Sequence, residues 1–66
     1  MDPVSAANSI SDPQRLAEAV RAACIAAALE AHEQAGISGL CQEGRWEVAI
    51  EAVRSLDLAN VVANAR

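Results

Sequence analysis

The sequence predicts an all-α fold: a small helical hairpin or three-helix unit with one long alanine-rich helix, completed by oligomerisation. Three observations predict it. Sixteen of the 66 residues are alanine, and from Pro13 to Ala35 no glycine and no further proline interrupts a run of Ala, Leu, Glu, Gln and Arg, all strong helix formers. No stretch alternates apolar and polar residues with the period of two that a half-buried strand requires. The large apolar side chains number 17, five Leu, four Ile, six Val, Met1 and Trp46, too few for a chain this short to enclose a deep core unaided.

Taken in order, residues 1–10 hold Met1, Asp2, Pro3, Ser5, Asn8 and Ser9 with little periodicity and read as a frayed leader, followed by a single helical domain over 11–66. The start has no basic segment leading into an apolar run, so it does not read as a signal peptide and the expected setting is cytoplasmic. The first helix is expected over 13–35. Asp12 suits its N-cap and Pro13 its first position, where the missing N–H costs nothing, while Ser11 and Gln14 offer an alternative capping box. At 100° per residue, Leu16, Val20, Ala23, Ala27 and Ala31 line one face, and Ile25, Leu29, Gly36 and Leu40 line the opposite one. A helix apolar on both sides is normally covered on both sides. This makes Leu16, Val20, Ala23, Ala27, Ile25 and Leu29 the candidate self-association residues, in a homodimer or a tetramer.

The end of that helix has two readings. Gly36 could close it in a left-handed cap, with Ser38 starting a short helix that Gly44 stops. Alternatively, the helix continues to 43 at a cost of about 1 kcal/mol per interior glycine, bent or broken between Gly36 and Gly39. The phase of Ile25, Leu29, Gly36 and Leu40 favours the second. Beyond Gly44, the residues Trp46, Ala49, Ile50, Val53 and Leu56 recur at helical spacing, so a helix is expected over 45–56. Asp57 then caps a final segment, 58–64.

Gly44, Trp46, Ala49, Ile50 and Val53 form the candidate hairpin core or interface. Trp46 is the single aromatic residue of Phe, Tyr and Trp type. Lone tryptophans anchor helical hairpins, and aromatics are also enriched at interaction hot spots. The stretch Leu40-Cys41-Gln42-Glu43-Gly44-Arg45-Trp46-Glu47-Val48-Ala49-Ile50-Glu51 resembles the middle of a tetratricopeptide repeat. There, a glycine closes the first helix, an aromatic follows, and a small residue beside an aliphatic packs the hairpin; Gly44, Trp46, Ala49 and Ile50 fall on those positions. The resemblance runs from Leu40 to Leu56. It implies a local helix–turn–helix geometry, while the family's peptide groove needs several repeats and is not implied.

Charge sets the partners. Nine acidic residues face five basic ones, for a formal net charge of −4, and all five bases are scattered arginines. Neither a phosphate backbone nor an anionic membrane surface rewards that distribution. Glu43, Glu47 and Glu51, with Glu30 and Glu33, instead form an acidic face for a protein partner. No catalytic constellation is expected. His32 has no nucleophile beside it, Glu30 and His32 are too close for a Glu-x-x-His set, and no glycine-rich phosphate loop is present. Cys24 and Cys41 read as small structural hydrophobes, the spacing of Cys24, His32 and Cys41 matching no zinc pattern. A metal or redox site shared between chains is the remaining alternative for those three. The expected function is a non-enzymatic interaction module without cofactor, metal, nucleic acid or membrane partner. The alternative is a small inhibitor or accessory subunit that modulates a larger protein.

Overall fold

A computed structural model describes residues 12–65, and these form three α-helices with no strand among them. α1 spans Asp12–Ile37, α2 spans Gln42–Arg54 and α3 spans Leu58–Asn64. The leader expected over 1–10 lies outside the described residues, as does Ser11. The fold is all-α and small, as the composition predicts.

α1 is 26 residues long, about 39 Å at 1.5 Å per residue. It begins at Asp12, whose carboxylate lies in the first turn, where it complements the positive end of the helix dipole. The helix stops at Ile37, between the two ends the sequence allows. Its closure is a Schellman motif centred on Gly39 rather than on Gly36. The Leu40 N–H donates to the Ala35 carbonyl at 3.0 Å and the Gly39 N–H to the Gly36 carbonyl at 3.0 Å. Gly39 takes φ +86°, the left-handed conformation this motif demands of its C′ residue. Gly36 remains helical, and the Arg45 guanidinium lies over it, 3.4 Å from where a β-carbon would stand. Arg45 Nε also donates to the Leu40 carbonyl at 2.9 Å, so one arginine ties the turn to the start of the next helix.

α2 begins at Gln42, three positions before the expected start, with Cys41 at its N-cap making no side-chain capping bond. Gly44 therefore lies in the first turn of α2 and does not close a preceding helix, the position the repeat resemblance assigns to it. Its missing side chain makes room for Leu40, whose Cδ2 lies 3.3 Å from the would-be β-carbon. At the far end, Ser55 donates twice to the Glu51 carbonyl, through its N–H and its Oγ, each at 2.9 Å. α3 starts as the sequence predicts: Asp57 caps it, accepting from the Asn60 N–H at 3.1 Å.

α2 and α3 both pack on α1 and not on each other, so the chain runs up one long helix and returns along it in two pieces. The half-buried positions of α1 are Leu16, Ala19, Val20, Ala23, Cys24, Ala27, Ala28, Ala31 and His32, ending in buried Ala35 and half-buried Gly36. Spacings of three and four make a single inward stripe. Leu16, Val20, Ala23 and Ala27, expected to meet a second copy, belong to this stripe. Ala27 and Ala31 lie beside Ala52 of α2, and Leu16 lies beside Ala65. The chain's own return limb covers that face because it is long enough to follow most of α1. Small residues let the helices lie close, but they bury little. Among the described residues, the fully buried hydrophobic ones are Ala35 and Ala49, 5% and 1% exposed, and no large side chain is fully buried. Each methyl contributes about 0.8 kcal/mol, while ordering each residue costs about 1–2 kcal/mol in backbone entropy. The layer is a thin one.

Candidate functional site: an apolar face around Trp46

The side of the layer that α1 and α2 present jointly carries four of the large apolar side chains the fold leaves uncovered; Ile37 at the end of α1 and Leu58 at the start of α3 are exposed as well, 74% and 49%. On α2, Ala49 points at α1, with Ala52 and Val53 half-buried on either side of it. Trp46 and Ile50 project from the same helix one turn apart, 57% and 52% exposed. On α1, Ile25 and Leu29 are 54% and 66% exposed. Helical phase puts Ile25, Leu29 and His32 on one edge of α1, next to the inward stripe.

One contact fixes how these two sets align. The His32 and Trp46 rings lie 5.2 Å apart, centroid to centroid, at an interplanar angle of 62°. This edge-to-face arrangement places the positive ring edge against a negative π-face. The antiparallel register follows. Leu29 lies about 4.5 Å back along α1 from His32, and Ile50 about 6 Å on along α2 from Trp46, at the α-helical rise. Leu29 and Ile50 are therefore nearly level. Ile25, Leu29, Trp46 and Ile50 form one apolar face, with half-buried His32 joining its two halves.

Alongside runs an open groove of about 650 Å³ whose lining includes Leu40, Trp46, Glu47, Ile50, Glu51 and Arg54. Its rim is charged. Arg54 Nη1 pairs with Glu51 Oε2 at 3.3 Å, both side chains largely exposed. Such a pair is weak and easily exchanged. Glu43 and Glu47 are exposed and form no ion pair among the described residues. Nothing in the groove encloses a small molecule, and its shape suits a surface laid across it.

The structure divides the residues that the sequence grouped together. Trp46 and Ile50 are surface residues of the face, Ala49 is hairpin core, Val53 is half-buried at the border, and Gly44 seats Leu40. Glu43, Glu47 and Glu51 all stand on the exposed side of α2. Ile25 and Leu29 join Trp46, while Leu16, Val20, Ala23 and Ala27 face inward. The sequence reading missed the pairing of His32 with Trp46. Its signal is the hairpin register, which depends on where the turn falls. Cys24 is half-buried on α1 and Cys41 is exposed in the turn, both as free thiols. Among the described residues, no three His, Cys, Asp or Glu side chains cluster closely enough to hold a metal ion. Nor is any described helix long and apolar enough to cross a membrane. The chain matches no protein-family model, no curated protein and no solved structure.

Proposed function

We propose that this chain is a small non-catalytic interaction module that self-associates, completing its thin helical layer with a second copy, and that also offers an acidic edge to a protein partner. The observation that carries this reading is the inversion of burial. Among the described residues, four large apolar side chains stand more than half exposed on one side, while the fully buried hydrophobic residues are two alanines. Such a face is stable in water mainly when another surface covers it. Binding and folding are then coupled, and the partner supplies the burial that alanine does not. Glu43 and Glu47 beside Trp46 supply the acidic edge. The net charge of −4 favours protein over nucleic acid or an anionic membrane as the partner. A cytoplasmic setting suits the two free cysteines.

A second reading is a small accessory subunit or inhibitor docking on a larger protein. It is favoured by the same two unpaired glutamates, which a basic surface would neutralise. Sedimentation equilibrium over a wide concentration range, with helicity followed by circular dichroism on the same samples, separates the two. Self-association predicts a helical dimer or tetramer. A monomer whose mass and helicity ignore concentration would overturn it and favour the accessory reading, whose affinity for a basic partner should fall with salt.

A further inference from the structure

Resting on the self-association reading, we infer that the second copy stacks face to face on the Trp46 side, antiparallel, about a two-fold axis that passes beside Leu29 and Ile50. The assembly is a four-helix arrangement in which α1 lies over α1 and α2 over α2 of the other copy. Three features of the face select this occupant. First, the helical rise counted from the His32–Trp46 contact puts the two central residues nearly level, so one axis serves both helices. Second, each stripe maps onto itself when turned end for end. On α2, Glu47 precedes Ile50 by three positions and Arg54 follows it by four, so Glu47 of each copy comes within one turn of the second copy's Arg54; in the assembly the acidic edge left for a protein partner is then Glu43 with the Glu51 that Arg54 releases. On α1, Ile25 precedes Leu29 by four and His32 follows by three, so Ile25 of each copy meets the second copy's His32. That is the pattern of an isologous interface, where a residue i meets j and j meets i. Arg54 is free to make the exchange because its bond to Glu51 is long and exposed, 3.3 Å with the two side chains 72% and 65% accessible. Third, the extents allow it. The layer is 49 × 25 Å across and 14 Å thick, and the axis at Leu29 lies about 12 Å from the α1 terminus at Ile37, so the two copies overlap over the turn-proximal half of each layer, an area near the roughly 800 Å² per partner of a standard interface. Antiparallel stacking of two helical hairpins is the usual geometry of a four-helix bundle. Every described element is a helix, so strand addition at a free sheet edge is unavailable.

The test uses the whole chain. In a Cys24→Ser, Cys41→Ser background, Ile50→Cys is expected to form a covalent dimer under mild oxidation, because a residue on the axis meets its own copy. Asn60→Cys, exposed on α3 and absent from the groove lined by Trp46 and Ile50, is expected to stay largely unlinked. Independently, Glu47→Arg and Arg54→Glu should each weaken self-association by about tenfold or more, since each replaces two opposite-charge contacts by two repulsive ones. An equimolar mixture of the two variants should associate again, because every Arg then faces a Glu across the interface. Because folding and association are coupled, circular dichroism is read at a concentration high enough to associate each variant, where it should recover the wild-type helicity. A wild-type monomer overturns both the self-association reading and this interface. A wild-type oligomer, with no cross-link in the Ile50→Cys variant and no association in the mixture, overturns this interface alone and moves the contact to another face of the layer.

Discussion

Gly39 is held to its residue type by its backbone conformation. It sits at φ +86° with nothing within 4 Å of a would-be β-carbon, so a side chain there has space but the wrong backbone. Gly39→Ala is expected to destabilise the fold by about 1 kcal/mol through left-handed strain alone, read as a lowered midpoint in urea with an unchanged slope. The sequence names the glycines of this turn without ranking them. Gly36 and Gly39 both satisfy the composition rule for a helix C-terminus, and the choice depends on where Arg45 and Leu40 settle, which is tertiary information. Asp57 was legible because its cap needs nothing beyond the next three residues: the Asn60 N–H is always within reach. Local signals are read correctly where the partner is local.

At the scale of the element, α2 carries two unlike faces, and substitutions on them should behave oppositely. Ala49, 1% exposed, is where α2 touches α1 most closely. Ala49→Leu is expected to cost about 1–3 kcal/mol by overpacking, whereas Val48→Leu on the exposed side should change stability by no more than about 0.5 kcal/mol. Thermal unfolding of the two variants side by side checks the contrast. The sequence shows that α1 is apolar on both sides but not which side its own chain covers. An alanine stripe and a sparse Ile–Leu stripe compete on equal terms until the turn position fixes the register. With the turn centred at Gly39, the return limb lies on the Ala stripe, and Ile25 and Leu29 are left outside together with Trp46. Reading Gly44 as a helix terminator displaced that register by several residues, which is why the His32–Trp46 pair was not foreseen.

At the scale of the molecule, the thin layer ties stability to concentration. If the face around Trp46 is closed by a second copy, the folded state gains its partner by mass action. The thermal midpoint should then rise steadily as protein concentration is raised, and Trp46, the chain's sole tryptophan, should become less accessible to a soluble fluorescence quencher over the same range. A midpoint and quenching constant that stay flat would count against the assembly. The all-α class and the thinness of the core were both legible from composition, because few large side chains and many alanines bound what any arrangement can bury.

The neighbourhood of Leu16 and Ala65 has a topological meaning as well. Asp12, Arg15 and Leu16 at the start of α1 line the same space of about 360 Å³ as Ala65 beyond α3. Entry and exit of the folded unit are thus neighbours at one tip, with the Gly39 turn at the other. A unit threaded this way can be spliced into a surface loop of a host protein, or joined end to end in a circle, with little strain at the seam.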